Sequence, residues 1–213
     1  KTMKTFMKTG CRLFVGGLTL MAISACSLLQ PTTTAVPNFY ALEGISGKTA
    51  SIPPATAPTL IVSPPHAAAG FDSQRMIYLR EPYKLEHFAH SEWIEPPARM
   101  LAPLIVDAIV KTGAFRAVVI TPSTAAGDLR LDSEIIRLQQ DFRTHPSTVR
   151  FTLRATLIDE NTRRVVAWRE FNQSVATSSE DPYGGVVAAN RALQATLESL
   201  ANFAAEAARN LPK

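Results

Sequence analysis

The sequence contains very little cysteine. Two of its 213 residues are cysteine, Cys11 and Cys26, and both precede the bulk of the chain. A disulfide framework of the kind that stabilises many small secreted domains is therefore excluded beyond Cys26. The residues after that position are numerous enough for one domain of ordinary size, and its stability must come from an apolar core.

Long apolar runs are missing as well. The apolar stretch that ends at Ala25 is shorter than the about 20 residues that a membrane-spanning helix needs, and Gly16 and Gly17 interrupt it. Polar chain rich in Pro and Thr follows at once. A transmembrane anchor is therefore the less favoured interpretation of this stretch.

Acidic residues are absent from the first 42 positions, and the first of them is Glu43. Four basic residues precede the apolar stretch: Lys1, Lys4, Lys8 and Arg12. A basic segment followed by a short apolar segment is typical of a secretory signal peptide. We therefore predict that residues 1–25 are a signal peptide that is removed.

The same four residues account for the net charge of +4, which comes from 22 Lys and Arg against 18 Asp and Glu. The chain from Cys26 onward consequently has no formal net charge. A basic surface of the kind that binds phosphate backbones is not indicated, and we expect no nucleic-acid partner.

The residues Ile23-Ser24-Ala25-Cys26 resemble the bacterial lipobox, in which an aliphatic residue and two small residues precede a cysteine. The resemblance implies a diacylglycerol group on the Cys26 sulfur and an acyl chain, such as palmitate, on its amine. Two or more chains anchor a protein firmly, whereas one does not. Residues 26–37 are then the lipidated cysteine and a flexible tether. Ser27, in place of the aspartate that retains enteric lipoproteins at the inner membrane, indicates the outer membrane.

Catalytic motifs are also missing from the sequence. It contains neither a G-x-S-x-G nucleophile elbow nor a phosphate-binding P-loop. His87 and His90 form an H-x-x-H pair beside Glu86 and Glu92, but structural zinc needs four well-spaced ligands. We interpret these histidines as surface residues and expect no metal, no cofactor and no enzymatic activity. A periplasmic hydrolase is the least favoured alternative.

Hydrophobic periodicity predicts the element order β-β-β-α-β-β-β-β-α. The first three strands are centred on NFYAL, TLIV and QRMIYLR, and KLEHFAHSEW is interpreted as a strand followed by a loop. A helix runs from Pro96-Pro97 to about Thr112, and the strand FRAVVI follows it. Three long strands of a β-meander and a long amphipathic helix that begins after Asp181 complete the order.

Two details of the meander can be predicted. In its first strand, apolar residues occupy odd-numbered positions up to Ile135 and even-numbered positions from Ile136 onward. This change predicts a β-bulge between Ile135 and Ile136. In the second strand apolar residues occupy alternate positions from Val149 to Leu157, which predicts one buried face and one wet face.

Large apolar side chains are the candidates for contact with a partner or an apolar ligand: Tyr78, Trp93, Pro97 and Met100. Such residues suit an apolar groove, and Trp168 belongs to the same class. Core packing is the favoured interpretation of the aromatic and Met side chains, because large apolar residues are mostly buried. Trp93 is the strongest exception, since it precedes the Pro96-Pro97 helix start, where a ring can lie at a rim.

Several stretches together resemble the ABC-type transport auxiliary lipoprotein family, which includes the paraquat-inducible protein C type. The resemblance spans residues 38–205 and rests on FYAL, QRMIYLR, SEWIEPPARML, AIVKTGAFRAVV, LRLDSEIIRLQQDF, VRFTLRATLIDENTRRVVAWREF and GGVVAANRALQATLESL.

The resemblance implies a fold and a function for residues 38–213. The fold is a single three-layer α/β domain, in which a mixed β-sheet with an antiparallel meander is flanked by helices. It is similar to the N-terminal domain of the Tol-Pal β-propeller protein. The function is that of a non-enzymatic lipoprotein on the periplasmic face of the outer membrane. It would assist an MCE-type ABC transport system that moves lipid or other apolar solutes.

The implied partners are an MCE-family periplasmic protein and its ABC permease and ATPase, and a homo-oligomer stays open. The main alternative is a stand-alone envelope lipoprotein with a structural or stress-related binding role and no ABC transporter. A permease, an ATPase and an MCE gene beside this one would distinguish the two.

Overall fold

A computed structural model describes residues 36–44 and 51–210 of the chain. The predicted signal peptide, Cys26 and nearly all of the tether lie outside the described residues. The compact unit to which the described chain belongs begins at Pro37.

The described residues form nine strands and two helices. In chain order they are β1 (Asn38–Tyr40), β2 (Thr59–Val62), β3 (His66–Ala67), β4 (Arg75–Leu79), β5 (Leu85–Trp93), α1 (Pro97–Val110), β6 (Ala117–Ile120), β7 (Leu129–Asp141), β8 (Thr148–Asp159), β9 (Val165–Ala176) and α2 (Pro182–Arg209). The seven predicted strands and both helices are confirmed. One strand is additional, the two-residue β3. The stretch KLEHFAHSEW, expected as a strand followed by a loop, is strand β5 as far as Trp93.

All of these strands belong to one mixed sheet that is organised around β7. On one edge, β7 pairs antiparallel with β8, and β8 pairs with β9, as the predicted meander requires. On its other edge β7 has three parallel neighbours in succession along its length, β2, β3 and β4. β6 extends the sheet beyond β2, and β5 and then β1 extend it beyond β4.

The predicted bulge in β7 is confirmed. Ile135 pairs with Leu153 and Arg137 pairs with Thr152, so Ile136 is the extra residue. A bulge bends its strand and turns the following side chains to the other face. Along β7, the bulge lies between the residues that pair with β2 and the residues that pair with β4.

The core lies between the sheet and the two helices, which contact each other on one face of the sheet. α1 buries Leu101, Ile105 and Ile109. Every residue of the apolar stripe of α2 is buried: Val186, Ala189, Leu193, Leu197, Leu200, Ala204 and Ala207. The described helices thus cover one face of the sheet.

The described elements therefore form two layers, and the expectation of three layers is corrected. The opposite face of the meander carries charged residues that have to stay in contact with water. Arg154 of β8 lies 3.5 Å from the Glu134 carboxylate of β7 and 3.3 Å from the Glu170 carboxylate of β9. If a third layer buried these charges, the free energy of desolvation would exceed the attraction within the ion pairs.

The start of α2 is capped as predicted. The Asp181 carboxylate accepts a hydrogen bond from the Gly184 N–H at 2.7 Å, and the Ser179 hydroxyl donates to the same carboxylate at 2.8 Å. These two donors lower the pKa of Asp181. Neither described helix has both the length and the apolar character that crossing a bilayer requires.

Candidate functional site

The meander defines two ends of the described domain. β7 has 13 residues and is about 43 Å long at 3.3 Å per residue. At the start of β7 lies what we call the cleft end, formed by residues 54–58, 112–116, 128, 159–161 and 205–209. At the other end of β7 lies what we call the tip end, formed by residues 80–84 and 142–147.

A cleft of about 770 Å³ opens at the cleft end. Its walls are mostly Pro and Ala from residues 54–58, Ala114 and the last turns of α2, where Ala205 and Ala208 lie. Arg116, Arg209, Asp128 and Asp159 supply its charges. The volume falls within the range of small-molecule binding sites.

The first wall of the cleft is held against the end of α1. The Ala57 N–H donates to the Pro54 carbonyl at 3.0 Å, which closes a turn. Gly113 follows α1 with a φ of +65°, and a Cβ at this position would overlap Ser51. Only glycine meets both conditions easily, so Gly113 permits the loop to approach the helix.

The second wall is fixed by a reciprocal pair between the starts of β2 and β7. The Thr59 N–H donates to the Asp128 carboxylate at 2.7 Å, and the Asp128 N–H donates to the Thr59 carbonyl at 2.9 Å. Arg116 donates to the Thr59 hydroxyl at 3.1 Å. One oxygen of the Asp128 carboxylate, Oδ2, is thus occupied by a hydrogen bond from the backbone.

The turn between β8 and β9 closes the cleft. The Asp159 carboxylate accepts hydrogen bonds from the N–H groups of Asn161 at 2.8 Å and Thr162 at 2.7 Å. These donors, the Thr162 N–H foremost, lower the pKa of Asp159. A general acid or base works best with a pKa near the operating pH. The arrangement favours binding over proton transfer.

The beginning of β9 adds an exposed apolar patch at the same end of the molecule. Val165, Val166 and Trp168 are 58%, 41% and 65% exposed. β9 pairs only with β8 among the described strands, so its outer edge carries unpaired backbone groups. Tryptophan is enriched among the residues that dominate protein interfaces. Core packing is the interpretation favoured for large apolar side chains, but Trp168 is exposed and does not follow it.

The four predicted contact residues do not form one surface. Tyr78 is 8% exposed and packs in an aromatic trio with Phe88 and Phe142, at centroid distances of 4.6 and 5.7 Å. Pro97 is buried at the start of α1, and Met100 is half-buried with its Sδ 3.5 Å from the Leu42 nitrogen.

The expectation that the Trp93 ring lies at a rim is wrong. Trp93 is 4% exposed, because β4 and α2 enclose it. It lines a small internal cavity of about 20 Å³ together with Met76 and Ala189. Such a space holds one water molecule at most.

His87 and His90 are both exposed on β5. Because side chains alternate along a strand, residues three apart point to opposite faces. In the part of the chain that the structure describes, no three His, Cys, Asp or Glu side chains converge on a common point.

An ion cluster around the buried Asp141 lies at the tip end and is not predicted by the sequence. The Asp141 carboxylate accepts two hydrogen bonds from the Arg143 guanidinium, at 2.8 and 2.7 Å, and lies 3.2 Å from that of Arg150. Hydrogen bonding to Arg143 is the main cause that lowers the pKa of Asp141. The signal for this cluster was weak, because only the end of an apolar strand marks Asp141 as buried.

Comparison with known families identifies the chain. A family model described as the ABC-type transport auxiliary lipoprotein component matches residues 40–201, which is more than half of the chain. The chain belongs to this family. The resemblance seen in the sequence is thereby confirmed. The match to the auxiliary lipoprotein family begins within β1 and ends within α2, before the residues 205–209 that α2 contributes to the cleft end.

Solved structures show the same fold as this auxiliary lipoprotein. Protein XCC0632 from Xanthomonas campestris matches with a TM-score of 0.71 and 24% identity, covering 81% of this chain and 97% of that chain. The hypothetical protein CT253 from Chlamydia trachomatis matches with a TM-score of 0.51 and 6% identity, covering 72% and 98%. No curated protein matches the chain by sequence.

The cleft itself could not be found from the sequence. Its lining comes from five segments that are far apart in the chain, and none of them has a recognisable motif. The one local signal was Gly113, which the sequence marks as a helix-terminating residue.

Proposed function

We propose that this auxiliary lipoprotein is a lipid-anchored, non-enzymatic component of an MCE-type ABC transport system. It stands at the periplasmic face of the outer membrane and assists the movement of lipid or another apolar solute across the cell envelope. The observation that carries the proposal is the family match over residues 40–201. That match names an auxiliary component of transport, which favours a binding role over a catalytic one.

The proposed anchor is a diacylglycerol and an acyl chain on Cys26, exposed after removal of residues 1–25. Eleven residues separate Cys26 from the start of β1 at Asn38, and the extended chain from Cys26 to Asn38 spans about 40 Å. Residues 38–213 would then be the auxiliary domain, held near the membrane without being inserted into it.

The proposed docking surface for the transport partner is the cleft end together with the exposed start of β9. The cleft supplies small apolar walls and two guanidinium groups, and Trp168 supplies a large exposed ring. The partner would be an MCE-family periplasmic protein with its ABC permease and ATPase. The rigid cleft walls favour a surface that is formed before binding, which lowers the entropic cost of association.

The test is affinity purification of a C-terminally tagged full-length chain from solubilised membranes, with co-purifying proteins identified by mass spectrometry. Trp168→Ala should reduce recovery of the transport proteins at least several-fold, because a central Trp contributes much of the binding energy at an interface. It should leave the melting temperature unchanged, since the ring is exposed. Tyr183→Ala, which removes an aromatic ring 61% exposed at the start of α2, is the matched control and should retain the partners.

Cys26→Ala runs beside these variants and should release the chain from the membrane fraction. A membrane-bound wild-type chain that purifies without any transport protein would contradict the proposal. The stand-alone envelope lipoprotein would then be the better interpretation. A homo-oligomer, also proposed, is tested by light scattering on the same preparation.

We further propose a distant fold relationship to the N-terminal domain of the Tol-Pal β-propeller protein. The open mixed sheet with both helices on one face supports it. Superposition of the two domains, with the order of strands compared, tests this relationship.

A further inference from the structure

The connection between β4 and β5 holds a large aromatic residue in an unusual backbone conformation. Residues Glu81-Pro82-Tyr83-Lys84 form a turn in which the Lys84 N–H faces the Glu81 carbonyl at 3.5 Å. Tyr83 has a φ of +67°. Proline at the second position and a positive φ at the third are the features of a type II turn. Glycine and asparagine are the residues that this third position favours.

Packing within the described chain does not explain a tyrosine at this position. Its side chain is 103% exposed, so no part of the described chain covers it. A bulky residue with positive φ is a local outlier, and such outliers point to a function when no packing explains them. The phenol of Tyr83 is therefore available for contact with something outside the domain.

The turn is supported by a rigid base. Tyr78 and Phe88, the aromatic pair behind it, belong to the strands that the turn joins, and Phe142 packs edge-on against Tyr78. The Arg80 guanidinium lies 4.9 Å from the centre of the Tyr78 ring. The Phe142 N–H donates to the Leu79 carbonyl at 2.8 Å, which joins this turn to the β7–β8 turn.

The residues beside Tyr83 make the turn amphipathic. Leu85 is 49% exposed, and Arg80 and Lys84 place long cationic side chains on either side. Lys84 lies near two carboxylates, those of Glu81 and Glu86, at 3.4 and 3.7 Å, and both distances belong to weak pairs at the surface. Tyrosine and leucine flanked by Arg and Lys are typical of surfaces that rest on lipid headgroups.

The direction of β1 places this turn on the side from which the chain arrives. β1 begins beside Ser91 and runs parallel to β5, so its starting end faces the start of β5 at Leu85. Six residues separate Ser91 from Leu85 along β5, which is about 20 Å. The chain from Cys26 to Asn38, with eleven residues between the two, spans about 40 Å when extended. A membrane that holds the Cys26 lipid is thus within reach of the turn.

We propose that Tyr83, with Leu85, is a membrane-contact site that rests on the headgroups of the phospholipid bilayer to which the chain is anchored. This inference rests on the lipid anchor of the proposed function. Two side chains bind a bilayer only weakly on their own. The anchor makes their contact intramolecular and so raises the effective concentration of lipid at the turn. The consequence is orientation: the tip end faces the membrane and the cleft end points away from it.

The experiment uses the full lipidated chain in vesicles of phosphatidylethanolamine and phosphatidylglycerol. Removal of the signal peptide takes Cys11 away and lipid occupies Cys26, so Thr144→Cys or Asn161→Cys provides one thiol for a spin label. Position 144 lies at the tip end, next in the chain to Arg143, which interacts electrostatically with Tyr83, and position 161 lies at the cleft end. Electron paramagnetic resonance then measures how accessible each label is to a water-soluble nickel chelate and to oxygen.

We expect the label at position 144 to be several-fold less accessible to the chelate than the label at position 161. Adding Tyr83→Asn should raise the accessibility at position 144 to the value at position 161. Asparagine suits the turn, so this variant should keep or raise the melting temperature and remain folded.

The inference would be overturned if the two labels were equally accessible to the chelate in the chain that retains Tyr83. It would also be overturned if Tyr83→Asn left the accessibility of the label at position 144 unchanged. Shielding at position 144 that requires added transport proteins would assign the site to a protein partner and overturn it too. Flotation of the vesicles with the wild-type chain and with Cys26→Ala is measured separately. A wild-type chain that does not float contradicts the anchor itself.

Discussion

Asp141 is the one charged residue that is buried among the described residues. Its side chain is 1% exposed, and it receives two hydrogen bonds from Arg143 with Arg150 alongside. We expect Asp141→Asn to lower the free energy of unfolding at pH 7 by about 2 kcal/mol, because hydrogen bonds to charged groups contribute about 1.5–3 kcal/mol. Arg143 and Arg150 keep partial access to water, which limits the decrease in the free energy of unfolding. Urea denaturation of both proteins measures this decrease.

The same variant gives a pH test with a definite sign. The folded state lowers the pKa of Asp141 below its ordinary value of 3.8. The stabilisation is therefore complete above that value and is lost as the pH falls through the folded pKa. The stability difference between wild type and Asp141→Asn should be constant from pH 7 to about pH 5 and shrink below about pH 4. Asp107→Asn, at a carboxylate 51% exposed, is the control and should change little. A difference that does not depend on pH would contradict the role assigned to the Asp141 charge.

At the scale of elements, the start of α2 depends on the absence of a side chain. A Cβ at Gly184 would overlap the carbonyl oxygen and hydroxyl of Ser179, and the Ser179 hydroxyl also donates to the Asp181 cap. In an ordinary helix, Gly→Ala stabilises by about 1 kcal/mol. Here we expect Gly184→Ala to destabilise by about 1–2 kcal/mol, because the overlap forces the cap to move. Thermal denaturation checks the sign, with Arg191→Ala on the exposed face of α2 as a control.

Local patterns were sufficient for the long elements. The alternation from Val149 to Leu157, the parity switch at Ile135 and the Asp181 cap are each determined by a few neighbouring residues, and the structure confirms all three. Strand β3 has two residues, and it exists only because β7 is beside it. No periodicity can reveal an element of that length.

Long-range packing determined what the sequence could not show. β5 alternates weakly and contains the H-x-x-H pair, so its full length depended on pairing with both β4 and β1. Trp93 precedes a helix start, which suggested a rim, but the approach of α2 buries it. β9 is apolar on both faces near its start. Trp168 lies opposite Thr156, on the face that the helices do not cover, whereas Phe171 lies opposite Leu153 and is buried.

At the scale of the whole molecule, the two ends of the meander differ in chemistry. The tip end presents Tyr83 and Leu85 on a base of packed aromatic rings. The cleft end presents small apolar walls, two guanidinium groups and the ring of Trp168. Because β7 spans about 43 Å between them at 3.3 Å per residue, one end can contact a bilayer while the other contacts a protein.

Photo-crosslinking in intact cells that carry the transport genes tests the central claim, partner docking at the cleft end, most directly. A photoreactive side chain is placed at Asn161 in one strain and at Thr144 in another, and the adducts are identified by mass spectrometry. We expect adducts with an MCE protein or its permease from position 161 and none from position 144. Transport proteins captured only at position 144, or at neither position, would contradict the claim.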